Sequence, residues 1–181
     1  MEVAVLYISG TGFTRKYANF IADVLKCDIF ELENVSRDDM QKYPLVIYGG
    51  WVRGGIIEGL DAARSMARGK LFVFAVGASP SSSTLAASLR EKNGLTEIPF
   101  FYFEGGLRME RLGYGSKRAL EMYKNALKKA SYESLDSNQQ FFLNNIGRSF
   151  DHSSKEETYD LIKKVDLLRK TRPDSSTWFE V

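Results

Sequence analysis

The stretch Val3-Ala4-Val5-Leu6-Tyr7-Ile8-Ser9-Gly10-Thr11-Gly12-Phe13-Thr14 decides how this chain is read. Its opening run, Val3–Ile8, is apolar without a break, as expected of a strand buried on both faces of a parallel sheet. From Phe13 the period changes, and Tyr17, Phe20, Ile21, Val24 and Leu25 share one side of a helix. Ser9–Thr14 therefore joins a strand to a helix. A phosphate group needs several donors converging on one small volume. Gly10 and Gly12 let the backbone curl so that its amides point inward. The start of the helix adds free amides and the positive end of its dipole, and Ser9, Thr11 and Thr14 each offer a hydroxyl. No lysine follows, which excludes the triphosphate loop. The third glycine of the dinucleotide fingerprint is missing too, with Thr14 close to where it would fall. A hydroxyl-rich nest without fixed cations suits a terminal phosphomonoester. The same residues also describe a plain turn and a helix cap.

Moving outward, short apolar runs alternate with segments of helical period. Asp28–Leu32 reads as a weak second strand. Leu45–Tyr48, after Pro44, reads as a third that ends at Gly49-Gly50. Ile57, Leu60, Ala63 and Ala67 mark a helix, and Leu71–Val76 is a fourth strand stopping at Gly77. Ser81–Lys92 reads as a helix capped by serine and stopped at Asn93-Gly94. Ile98–Phe103 is the fifth strand, and a helix carrying Leu120, Tyr123 and Leu127 starts near Ser116. Ser153…Glu156 and Ser154…Glu157 both fit a capping box before a last helix with Leu161, Val165 and Leu168 on its buried face. Ser131–Phe150 is polar and resists assignment. Residues 1–172 read as a single domain and 173–181 as a loosely attached tail. The expectation is a three-layer α/β fold: a five-stranded parallel sheet in the order 2-1-3-4-5 with helices on both faces. That order opens a crevice beyond the C-terminal ends of strands 1 and 3, and both ends are glycine-rich here.

Composition excludes several classes. With 181 residues, 44% hydrophobic and 27% charged, the chain has the profile of an ordinary globular domain. A formal charge of +2, with Lys and Arg spread along the chain, gives no case for nucleic acid. The apolar runs are too short for a bilayer, and the opening lacks a basic leader, so a cytoplasmic protein is expected; contact with a membrane surface stays open. The lone Cys27 excludes an internal disulfide and reads as a quiet thiol. No Cys/His cluster has metal-ligand spacing, and His152 reads as a surface residue near a helix cap. There is no Gly-x-Ser-x-Gly elbow.

Ser9–Thr14 resembles the phosphate signature of flavodoxins, Ser/Thr-x-Thr-Gly-x-Thr, at every defined position and in the right strand–turn–helix setting. The resemblance implies flavin mononucleotide (FMN) as cofactor, its phosphate held by Ser9, Gly10, Thr11, Gly12, Phe13 and Thr14. It further implies that the isoalloxazine ring lies between the loops after strands 3 and 4. The first loop offers Gly50, Trp51, Val52, Arg53 and Gly54, where Trp51 has a flat polarizable face for stacking; packing on the sheet edge would use it equally. Arg53 near the pyrimidine end would favour an anionic reduced flavin, or it is a plain surface arginine. The second loop offers Gly77, Ala78 and Ser79 but lacks the tyrosine many flavodoxins carry there. A more open outer face follows, which favours a substrate meeting the flavin directly.

A narrower resemblance covers residues 1 to about 130 in outline and rests on Phe103-Glu104-Gly105-Gly106-Leu107-Arg108 and the Trp51–Gly55 loop. Both look like flavodoxin-type, menaquinone-dependent protoporphyrinogen oxidases and their flavodoxin-domain relatives. It implies an oxidoreductase passing electrons between the flavin and a quinone- or porphyrinogen-like small molecule. Arg108 and Arg111 are candidates to receive an anionic substrate, since arginine pairs bidentately with carboxylates; a solvated helix lead-in describes them as well. Carrier flavodoxins are acidic and are steered onto basic partners. This chain is slightly basic, which weighs against the alternative of an electron carrier between redox proteins. A cofactor-free interaction module is the third reading.

Overall fold

The computed structural model describes residues 1–171; the expected tail, 173–181, lies outside the described residues. The strands β1 (Val3–Tyr7), β2 (Asp28–Glu31), β3 (Leu45–Arg53), β5 (Lys70–Gly77) and β6 (Phe100–Glu104) form a parallel sheet in the order β2-β1-β3-β5-β6. A short β4 (Ile56–Ile57) pairs antiparallel with the end of β3. Without β4 the order is the expected one.

Alternation along each strand assigns the layers, because successive side chains leave opposite faces of a sheet. Val3, Val5 and Tyr7 of β1, Leu45 and Ile47 of β3, and Phe72, Phe74 and Val76 of β5 pack with α1 (Phe13–Leu25) and α7 (Tyr159–Thr171). Ala4, Leu6, Val46, Tyr48, Val73 and Ala75 face the other way, against Met40 of α2 (Arg37–Met40), Leu60 and Ala63 of α3 (Leu60–Met66) and Leu89 of α4 (Ser83–Lys92). The unbroken apolar runs in β1 and β3 follow from this double burial.

Several boundaries differ from the sequence reading. β3 runs through Gly49-Gly50 to Arg53, so Trp51, Val52 and Arg53 are strand residues. The chain then reverses at Gly54 and Gly55, whose φ values of 59° and 87° meet the demand of a type I′ hairpin for two residues at positive φ. Val24 of α1 is 46% exposed and does not join the core. Neither expected capping box forms at Ser153–Glu157. A 3₁₀ turn covers Lys155–Thr158, Ser154 makes no side-chain cap, and Glu157 reaches across to the Glu104 amide.

The unassigned stretch has a definite structure. After α5 (Tyr114–Leu127), Asp136 and Gln139 form a reciprocal capping box that starts α6 (Ser137–Asn145). The chain then extends as β8 (Phe150–Asp151), antiparallel to β7 (Gly106–Leu107), with Gly106 opposite Asp151 and Leu107 opposite Phe150. A ring cluster of Phe141, Phe142, Phe150 and Tyr123 joins α5, α6 and β8.

Candidate functional site

The turn between β1 and α1 is held by Ser9, whose Oγ accepts from the amides of Gly12 at 3.2 Å and Arg15 at 3.3 Å. Gly12 caps the helix at φ +101°, a conformation an L side chain rarely adopts. The amides of Gly10, Thr11, Phe13 and Thr14 make none of the hydrogen bonds found among the described residues. Thr14 is 1% exposed, and its hydroxyl also has no partner among the described residues. No fully buried side-chain polar atom is left unsatisfied there, so this hydroxyl keeps an opening to the surface. Four free amides and a hydroxyl at the positive end of a 13-residue helix form an anion-binding nest. The donor set fits a phosphate monoester.

The hairpin after β3 stands beside this turn. Trp51 is half-buried, and its Cε2 lies 3.4 Å from where a Cβ on Gly10 would sit. Arg53 lies over the indole, 5.5 Å from the ring centroid, and pairs with Glu58 at 2.6 Å. Its charge therefore has a carboxylate partner that the sequence reading did not foresee. Gly50 and Val52 are strand residues, while the exposed Gly54 forms the hairpin tip. The loop after β5, with Gly77, Ala78 and Ser79, is pinned to β6. The Tyr102 hydroxyl donates to the Ser79 carbonyl at 2.7 Å, the Gly105 amide donates to Gly77 at 2.7 Å, and Glu104 Oε1 accepts from the Ser81 amide at 2.7 Å. Burial pushes the Tyr102 phenol well above its ordinary pKa, so it is a fixed donor.

Arg108 and Arg111 are brought to the phosphate turn. The Arg108 guanidinium covers the Phe13 ring at 4.4 Å, and its Nη1 donates to the Thr11 carbonyl at 3.0 Å. Arg111 Nη1 reaches the same oxygen at 3.5 Å. The reading of a nest without cations thus holds along the sequence but not in space. The segment that places Arg108 is the one the sequence left unassigned. β8 pairs with β7, the His152 amide donates to Gly105 at 2.8 Å, and Ser149 Oγ accepts from the Met109 amide at 3.0 Å. Nothing local in residues 131–150 announces this role, although the Asp136…Gln139 box was readable.

Tyr17 locks the same corner. Its hydroxyl donates to the Glu104 carbonyl at 2.6 Å and accepts from the Ser154 amide at 3.0 Å. Burial raises the Glu157 pKa above the ordinary glutamate range, against the hydrogen bond from the Glu104 amide. Burial raises the Cys27 thiol to about 11, outweighing the opposing pull of Arg169, which makes it a poor nucleophile. His152 is exposed and packs against Phe150 and Phe141. Among the described residues no helix is long and apolar enough to cross a membrane.

A strand–nest–helix turn with free amides on a 2-1-3-5-6 sheet is the arrangement of mononucleotide-binding α/β proteins. Residues 4–134 match the model of the flavodoxin domain family, and the chain belongs to that family. This membership supports a redox role with FMN as the cofactor. No curated protein matches the chain. Among solved structures, two-electron reduced Megasphaera elsdenii flavodoxin is similar with a TM-score of 0.40 and 19% identity, covering 55% of this chain and 82% of that one. A flavoprotein in complex with FMN from Lactobacillus acidophilus NCFM has a TM-score of 0.41 and 16% identity, covering 57% and 91%.

Proposed function

We propose that this chain is an FMN-dependent oxidoreductase that passes electrons between its flavin and a quinone- or porphyrinogen-like small molecule, in a reducing cytoplasm. It is nearest in kind to the flavodoxin-type, menaquinone-dependent protoporphyrinogen oxidases. The observation that carries the reading is the nest itself: free amides of Gly10, Thr11, Phe13 and Thr14 around Gly12 at positive φ, with Ser9 holding the turn. Residues 1–172 act as one FMN-binding unit. Ser9–Thr14 hold the phosphate, while Gly50, Trp51, Val52, Arg53 and Gly54 on one side and Gly77, Ala78 and Ser79 on the other flank the ring. When bound, the flavin supplies the redox chemistry, and the protein orients it and sets its surroundings. The Gly77–Ser82 loop has no aromatic residue to shield the outer face of the ring, which favours direct access by a small substrate.

A second reading, an electron carrier between redox proteins, is favoured by α5. Tyr114 and Met122 are 79% and 65% exposed there, two apolar side chains on neighbouring faces of the helix that a protein partner could cover. The test is to purify the protein, record its absorption with added FMN, reduce it anaerobically and follow reoxidation by a soluble quinone. Fast two-electron reoxidation by quinone is expected. Reoxidation in two well-separated one-electron steps, and only by a redox protein, would establish the carrier. A folded protein that stays colourless with FMN would overturn both.

A further inference from the structure

We propose that Arg108 and Arg111 form a cationic clasp on the cofactor's phosphate, so that this chain selects a phosphorylated flavin by charge as well as by its amide nest. The inference rests on the FMN reading above. Both guanidinium groups converge on one neutral atom, the Thr11 carbonyl oxygen, at 3.0 and 3.5 Å. A Cβ built on Gly12 would lie 2.9 Å from Arg108 Nη1 and 3.2 Å from Arg111 Nη1. They therefore crowd the rim of the nest beside Gly12.

Two like charges meeting at a carbonyl are poorly compensated. Asp151 Oδ2 stands 3.8 Å from Arg108 Nη2, but it is shared with Lys16 Nζ at 3.4 Å. Glu110, which accepts from Ser149 Oγ, also feels the charge of both arginines. Lys16, Arg108 and Arg111 thus outnumber Asp151 and Glu110 at the edge of a turn already built for an anion. A phosphate monoester in the nest would supply negative charge to the unmatched cation.

Each guanidinium carries five donors in a planar fork. Arg108 spends one on Thr11 and turns another toward Asp151, and Arg111 spends one, so donors remain for phosphate oxygens. Position also decides between the two anions these arginines could take. A carboxylated substrate would need them facing the flavin ring between the hairpin and the Gly77–Ser82 loop, whereas both lie against Thr11 and Gly12, and Arg108 also covers Phe13.

The test compares FMN with riboflavin, which lacks the phosphate, by flavin-fluorescence titration of the apoprotein at low and high salt. Wild type, Arg108→Gln, Arg111→Gln and the double variant are used, with the melting temperature of each as a folding control. The wild type should prefer FMN, and its FMN affinity should fall with salt while its riboflavin affinity does not. The double variant should lose FMN affinity about 10- to 100-fold, as expected for charge-assisted hydrogen bonds, and keep riboflavin affinity within about twofold. Arg111→Gln, at an exposed position, should show part of the loss even if Arg108→Gln folds poorly. Equal weakening of both flavins would mean that the arginines only support the fold, and would overturn the clasp. Unchanged FMN affinity with a raised KM for a carboxylated acceptor would overturn it in favour of a substrate role. A folded wild type that binds neither flavin would sink the FMN reading along with it.

Discussion

Gly12 is the residue on which the phosphate turn depends most directly. At φ +101° a side chain is strained, and a Cβ would press on the Arg108 guanidinium at 2.9 Å. Gly12→Ala should therefore cost about 1–3 kcal/mol in stability and weaken FMN binding more than riboflavin binding, read by melting temperature and by titration. An unstrained, fully competent Gly12→Ala protein would show that the turn can be closed another way. Arg53 poses a subtler question, because its charge is paired with Glu58 at 2.6 Å on a side chain 68% exposed. A cation near the flavin stabilises an anionic reduced state and raises the potential, and Glu58 offsets it. Arg53→Met should lower the midpoint potential and Glu58→Gln should raise it. Each shift should be about 5–20 mV if an exposed pair contributes about 0.2–1 kcal/mol. Potentiometric titration reads both, and shifts of the same sign would remove Arg53 from the tuning of the cofactor.

At the scale of elements, the part of the chain that resisted reading has the most specific task. β8 offers only Phe150 and Asp151, yet it pairs with β7 and sets where Arg108 leaves the sheet. Phe150 also meets Phe141 at 5.6 Å and His152 at 5.0 Å, which ties α6 to this ladder. Phe150→Ala should loosen the β7–β8 pair and speed hydrogen exchange at the amides of Leu107 and Arg108, with exchange in β1 and β3 unchanged. Uniform loss of protection across the sheet would show that β8 is not a separate element. What sequence could deliver followed the range of the forces involved. Double burial writes itself as unbroken apolar runs, so β1, β3 and β5 were legible, and their order followed from right-handed crossovers. The turn between β1 and α1 was legible because its residues are contiguous. The hairpin was missed because Gly49-Gly50 looked like a strand end, whereas the reversal occurs at Gly54-Gly55, where both φ values are positive. The approach of Arg108 to Thr11 was not legible, since the two are 97 residues apart and the ladder that joins them is two residues long.

Across the whole molecule, the candidate site is assembled by ties between the C-terminal part of the chain and the tips of the sheet. Tyr17 bridges Glu104 and Ser154, and Glu157 accepts the Glu104 amide at 2.5 Å. Of these groups Glu157 carries a pH dependence. Burial raises its pKa and outweighs the hydrogen bond from the Glu104 amide, which lowers it. The sign follows from linkage: when the folded state binds a proton more tightly than the unfolded one, the group adds stability at low pH. That contribution is complete below the ordinary glutamate pKa and is lost as pH rises through the elevated folded value. Glu157→Gln cannot ionise, and its amide oxygen can still accept from the Glu104 amide. Urea unfolding from mildly acidic to neutral pH should therefore show wild type losing stability relative to Glu157→Gln as pH rises, with the difference levelling off once Glu157 is fully ionised. Because Glu157 sits where β6 meets the turn into β7, the same series should show Leu107 and Arg108 amides exchanging faster in wild type at the higher pH. Parallel stability curves for the two proteins would mean that Glu157 ionises without cost, and that this corner is held by Tyr17 and the β7–β8 ladder alone.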